Sequence, residues 1–224
     1  MNDAESHKKE MQAVQAKHRA KVAEAQDPER GLVLVHTGKG KGKSSSAFGV
    51  VVRALGWKQS VGVVQFIKGK WITGERRFFD QLGDVTWHTM GEGFTWDTQD
   101  KDRDIAAAQA AFDKAVEMME SGDFDLVVMD EINIALRYDY LDIQKVIEGL
   151  EGRHKRTSAI LTGRDAKPEL MEYADLVTEM TEVKHPFQAG IKAQRGVDFW
   201  SIRNILRVKE GTCAGKMPRE SAGR

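Results

Sequence analysis

A three-layer α/β domain with a mostly parallel sheet is the fold class this chain predicts, and three observations predict it. Short strand-like runs alternate with helix-like runs between residues 31 and 208. The strand runs lack the period-two alternation of a half-exposed sheet. No internal repeat or long linker divides the stretch. Alternation implies βαβ units joined by right-handed crossovers, and unbroken apolar strands imply a sheet covered by helices on both faces. With 224 residues and 41% hydrophobic side chains the chain suffices for one full-sized core.

The elements follow in order. Residues 1–30 carry six basic and six acidic side chains but few apolar ones, Met11, Val14 and Val22. Good helix formers make a helix plausible there, without the stripe that would pack it; the first ten residues read as a mobile tail and the whole segment as a lid. Leu32–Val35 is the first strand. Ser44–Leu55 is a helix, with Ala47, Val50, Val51, Ala54 and Leu55 at three- and four-residue spacing and Gly56 as its C-cap. Val61–Ile67 is a strand whose apolar run is interrupted by Gly62 and Gln65. A short helix at Glu75–Leu82 and a strand at Val85–Met90 come next. Asp102–Glu120 is amphipathic, through Ile105, Ala108, Phe112, Ala115, Val116 and Met119, and is closed by Gly122. Strands at Asp125–Asp130, Ser158–Thr162 and Leu176–Met180 and helices at Asp142–Leu150 and Pro168–Tyr173 complete the domain over 31–208. Residues 209–224 lack any apolar pattern and read as a mobile tail.

Composition excludes several function classes. Lys plus Arg and Asp plus Glu both number 34, so there is no excess of positive charge to drive phosphate-backbone binding; no nucleic-acid partner is expected. No apolar run approaches 18 residues and the first 30 are too polar for a signal peptide, so the expectation is a cytoplasmic protein with no membrane partner. One cysteine, Cys213, rules out an internal disulfide. The six histidines (His7, His18, His36, His88, His154, His185) show no metal-ligand spacing.

The strongest local signal is Thr37-Gly38-Lys39-Gly40-Lys41-Gly42-Lys43-Ser44, between the first strand and its helix. Glycines let successive N–H groups turn inward onto phosphate oxygens, and the helix start adds partial positive charge. Lys43 would neutralise phosphate, and the Ser44 hydroxyl would complete a Mg²⁺ shell. The phosphate-loop pattern wants glycine at 37, where this chain has threonine; a Gly/Lys-rich surface turn is the plain alternative, and the flanking strand and helix argue against it. Asp130 and Glu131 end the DLVVMDE strand, where a phosphate-loop protein keeps its metal-side carboxylates; residues there also serve merely as helix caps. These features point to a phosphate-loop, recombinase-like fold, a nucleoside triphosphate and Mg²⁺ (or Mn²⁺). They do not choose a reaction.

Further segments narrow the choice. VGVVQFIKGKWITGE at 61–75, GEGFTWDTQD at 91–100, MDEINIALRYDY at 129–140 and HPFQAGIKAQRGVDFW at 185–200, taken with TGKGKGKSSSA at 37–47 and Arg53, resemble the phosphate-loop family of corrinoid adenosyltransferases over roughly residues 31–200. The resemblance implies transfer of the 5′-deoxyadenosyl group of ATP to the Co(I) of a corrinoid, such as cob(I)alamin or cob(I)yrinic acid a,c-diamide, with release of triphosphate. It implies that Gly38, Lys39, Gly40, Lys41, Gly42, Lys43 and Ser44 hold the triphosphate with its γ end in the loop, and that Arg53 lies near the nucleotide. It further implies that Ser44 and Glu131 hold the metal with Asp130 close by, that Phe94 and Trp96 lie beneath the corrin ring, and that the N-terminal helix covers the corrinoid in a homodimer served by a flavin or flavoprotein reductant. An apolar wall of Phe94 and Trp96 would exclude a lower axial ligand and ease reduction of Co(II); without the resemblance, the pair reads as loop packing. The alternatives are a kinase moving the γ-phosphoryl group and a nucleotide-dependent module acting on DNA.

Overall fold

The computed structural model describes residues 3–67, 73–90, 100–194 and 196–197. Its contacts separate two compact units, residues 1–182 and 183–224. In the first, α1 (Asp3–Glu24) precedes β1 (Val33–Thr37), α2 (Lys43–Gly56), β2 (Val61–Gln65), α3 (Gly74–Leu82) and β3 (Val85–Thr89). Then come α4 (Lys101–Glu120), β4 (Leu126–Asp130), α5 (Ile132–Arg137), α6 (Ile143–Glu151), β5 (Ser158–Thr162), α7 (Pro168–Tyr173) and β6 (Leu176–Glu179). The described part of the second unit holds a 3₁₀ turn at Pro186–Ala189, where His185 Nδ1 accepts from the Phe187 N–H at 3.1 Å. Among the described residues no helix is long and apolar enough to cross a membrane.

All six strands of the sheet are parallel, in the order β3-β2-β4-β5-β1-β6. Alternate side chains divide between two cores. Val33, Val35, Val64, Val127, Met129, Ala159 and Leu161 face α4, α5, α6 and α7. Val61, Val63, Leu126, Val128 and Ile160 face α2 and α3, where Phe48 stacks on Trp87 at 5.4 Å. The four strands β1, β2, β4 and β5 are buried on both faces, which is why they read as apolar runs, whereas the edge strand β6 is exposed along its length.

Connections therefore leave neighbouring strands toward opposite faces on either side of the β4–β5 pair, and again between β2 and β3. β1 feeds α2 while β5 feeds α7, and β2 feeds α3 while β4 feeds α5. Ligands of open α/β sheets bind in such crevices at the carboxyl ends of the strands. Two crevices here flank the β4–β5 pair.

Several expectations are corrected at element ends. Residues 3–24 form one helix, including the stretch read as a tail; it has no glycine or proline, Asp3 and Glu5 sit in its first turn and Lys21 in its last, and none of its residues is buried. Gly56 is the last residue of α2 rather than its cap; Trp57 caps the helix and Lys58 takes the positive φ of 58°. Helix α5 was not expected: it is six residues long and, unlike α7 with Pro168 at its start, has no proline or side-chain cap to mark its beginning. It starts where Glu131, at φ 68°, turns the end of β4 sharply into Ile132.

Candidate nucleotide site

Strand register sets the floor of the site. Gln65 pairs with Thr89 and with Asp130, and His36 pairs with Thr162. One step beyond the Met129–Leu161 pair, Asp130 and Thr162 stand side by side. A polar row thus crosses the carboxyl end of the sheet on its α2 face, where each strand's apolar run stops. Asp130 is fully buried: its Oδ1 accepts from Thr162 Oγ1 at 2.8 Å and its Oδ2 from Gln65 Nε2 at 3.0 Å. Thr162 Oγ1 also accepts from the Glu131 N–H at 3.0 Å, which fixes the turn that carries the second carboxylate. Asn133, buried one turn on, donates to Gly163 O at 3.2 Å and ties that turn to the end of β5.

The phosphate loop closes over this floor. Gly42, at φ 106°, is the N-cap of α2, a conformation that glycine alone adopts without strain. Lys43 is the first helical residue and is 8% exposed; its Nζ donates to Gly38 O at 2.8 Å and Gly40 O at 2.6 Å. Burial lowers the Lys43 pKa, and the nearby Glu131 carboxylate opposes that shift. Lys39 and Lys41 are exposed, and Ser44 is half-buried behind them. The buried His36 places Nδ1 3.3 Å from Lys43 O; a carbonyl only accepts, so Nδ1 carries the proton. Burial pushes the His36 pKa down, keeping the ring neutral.

The spacing of the loop glycines has a packing reason that the sequence did not reveal. A Cβ on Gly38 would sit 2.5 Å from Met180 O, and one on Gly40 would sit 2.8 Å from Met180 O and from Thr181. The segment after β6 presses on the loop this closely because Met180 N donates to Thr37 O at 2.9 Å and Gly40 N to Met180 O at 2.6 Å. Threonine at 37 is also explained: its Oγ1 accepts from the Ala166 N–H at 3.0 Å, anchoring the loop after β5. That loop is laced to the end of α5 by the Arg137–Asp165 pair at 2.9 Å and the Lys167–Asp139 pair at 2.8 Å.

A cleft of about 510 Å³ opens on the β6 side of the loop, lined by Thr37, Lys39, Asp165, Glu179, Met180 and Glu182. Glu179 and Glu182, beside the Arg137-paired Asp165, outweigh the one ammonium of Lys39 and disfavour a triphosphate there. A groove of about 590 Å³ between α4 and α6 lies away from the loop and has no phosphate-binding backbone.

Gly38 to Ser44, Asp130 and Glu131 are thus brought to one end of the sheet. Arg53 is not: it lies exposed on α2, nine residues beyond Ser44, or about 13 Å along the helix axis. Phe94, Trp96 and Cys213 lie outside the described residues. Sequence reasoning missed Gln65, Thr162 and Met180 as parts of the site. The one signal available was Gln65 itself, a polar residue inside an apolar strand.

A parallel sheet with a glycine-rich loop and buried lysine after β1, and carboxylates after a strand one place removed, is the architecture of a phosphate-loop fold. The family model for the ATP:corrinoid adenosyltransferase BtuR/CobO/CobP matches residues 29–199, and the chain belongs to that family. It is 53% identical over 194 residues to a corrinoid adenosyltransferase of Pseudomonas aeruginosa, covering 86% of this chain and 95% of the relative. It is 50% identical over 184 residues to one of a Sinorhizobium species, covering 81% and 86%. With one of Escherichia coli K12 the identity is 44% over 195 residues, covering 87% and 98%.

Proposed function

We propose that the loop at 37–44 and the carboxylates at 130–131 hold ATP while its adenosyl group passes to a corrinoid. By family the chain is an adenosyltransferase, and γ-phosphoryl transfer is not favoured. The observation that carries the reading is the buried Lys43 ammonium, held inside a loop that closes over an acidic, oxygen-rich floor.

The chemistry then follows. The Co(I) electron pair forms a bond to the ribose C5′, the C5′–oxygen bond breaks, and triphosphate leaves with that bond's electrons. No protein base is required, because the nucleophile is the cobalt itself, and His36 Nδ1 is engaged by the Lys43 carbonyl. The chain's task is to orient C5′ and stabilise the leaving triphosphate. Exchange of the Gly38 and Gly40 carbonyls for phosphate oxygens would let Lys43 do this, with the amides of the loop and the start of α2.

The donor set suits a hard divalent cation: one hydroxyl, Ser44, and two carboxylates, Asp130 and Glu131. Among the described residues no three His, Cys, Asp or Glu side chains cluster for a metal, so such an ion would draw its remaining ligands from phosphate and water. Mg²⁺ there would neutralise charge on the leaving group.

Phe94 and Trp96 are proposed as the wall beneath the corrin. Support comes from the anchors of their loop: β3 ends at Thr89, beside Gln65, and α4 begins at Asp100–Lys101, where Asp104 accepts from Tyr140 Oη at 3.5 Å. Helix α1, with no buried residue, is proposed as the lid, and a homodimer with a flavin-based reductant as the working assembly. The test is to mix the protein with ATP, Mg²⁺ and chemically reduced cobalamin. A light-sensitive alkylcobalamin spectrum is expected; its absence with active cob(I)alamin present would overturn the proposal.

A further inference from the structure

Gln65 is 1% exposed and lies between two strands that lead to different parts of the site. Its orientation is fixed by chemistry. Trp87 Nε1 only donates, and it lies 3.1 Å from Gln65 Oε1. Thr89 Oγ1 donates to the same oxygen at 3.4 Å. The amide nitrogen must therefore face Asp130, and it donates to Oδ2 at 3.0 Å while Thr162 holds Oδ1. Trp87 is itself clamped, stacked on Phe48 of α2 and covered by the Arg76 guanidinium 5.4 Å from its ring. The main chain repeats the link, because Met90 N donates to Gln65 O at 3.1 Å and Phe66 N to Asp130 O at 3.0 Å.

We infer that Gln65, oriented by Trp87, is a positioning residue that aims the Asp130 carboxylate at the cation of the bound nucleotide. A carboxylate held at one oxygen by the Thr162 hydroxyl and at the other by the Gln65 amide loses its freedom to rotate. The inference rests on the proposed metal-side role of Asp130 and adds to it a residue outside the phosphate-loop motif. Partners behind a metal ligand commonly change metal affinity by roughly 10- to 100-fold when removed.

The test measures ATP binding calorimetrically across a Mg²⁺ titration and again in EDTA, with melting temperature alongside. Gln65→Met removes the donor to Asp130 and leaves Trp87 Nε1 without its Gln65 acceptor, so the double variant Gln65→Met/Trp87→Phe is measured as well to remove that indole N–H. Both are expected to raise the half-saturating Mg²⁺ concentration about tenfold or more, with ATP affinity in EDTA unchanged. Trp87→Phe alone, which frees the amide to flip, is expected to give a smaller shift in the same direction. Equal losses with and without Mg²⁺, tracking the melting temperature, would make Gln65 merely structural and overturn the inference. Asp130→Asn separates the layers. If it shifts the Mg²⁺ dependence and Gln65→Met does not, the positioning role alone falls. If Asp130→Asn shifts nothing, the metal-side assignment falls and the inference with it.

Discussion

Lys43 is the residue on which the proposed phosphate site stands. In the free protein its ammonium is held by two carbonyls, Gly38 O at 2.8 Å and Gly40 O at 2.6 Å, and burial already lowers its pKa. ATP offers the same donors anionic oxygens in place of neutral ones. The contact it gains on binding, between its ammonium and an anionic phosphate oxygen, is worth about 1.5–3 kcal/mol. Lys43→Met keeps the apolar stem that packs at the start of α2 and removes only that gain. The expected loss of ATP affinity is about 10- to 150-fold by calorimetry. The melting temperature should change little, because removing a partly buried charge offsets the two lost bonds. Lys39→Met and Lys41→Met serve as controls: both lysines are exposed, and each should cost less than about 1 kcal/mol. Unchanged ATP affinity in Lys43→Met, or an equal loss in Lys39→Met, would refute the reasoning.

Other predictions follow from neighbouring contacts. Gly40→Ala drives a Cβ to within 2.8 Å of Met180 O and Thr181, so both melting temperature and ATP affinity should fall, with an overpacking cost of about 1–3 kcal/mol; Gly49→Ala in α2, with nothing within 4 Å, should instead stabilise by about 0.5–1 kcal/mol. The Arg30 guanidinium, at 2.8 and 2.6 Å, and the Val33 N–H hold the Asp175 carboxyl down to about 2. A depressed carboxylate contributes stability above its ordinary value of 3.8 that is lost as pH falls toward 2, so acid melts should show a decline over that window that Asp175→Asn flattens. Deleting residues 1–26 should leave the melting temperature unchanged, since α1 buries nothing, while corrinoid affinity falls more than ATP affinity; equal losses of both would count against a lid.

The sheet was legible because burial on two faces writes itself as apolar runs: Leu126–Met129 admits no other reading once Asp130 ends it. The turn from β1 into α2 was legible because glycines at that spacing let the chain curl around the Lys43 side chain. What the sequence could not supply was pairing across long separations. Gln65 meets Asp130 through a register 65 residues apart, and Met180 meets Gly40 across 140 residues. Neither contact leaves a local period. Glu131 was legible as a carboxylate but not as a left-handed turn, because its conformation is imposed by Thr162 from another strand. Arg53 shows the opposite case, since its spacing from the loop was known but the face of α2 it occupies was not.

The central claim is that ATP gives up its adenosyl group here and not its terminal phosphate. ATP labelled at the γ-phosphorus, incubated with the protein, Mg²⁺ and cob(I)alamin, distinguishes the two directly. All the label should emerge in inorganic triphosphate, one molecule for each cobalt–carbon bond formed. Label in an acceptor or in orthophosphate, with ADP as the nucleotide product, would contradict the account.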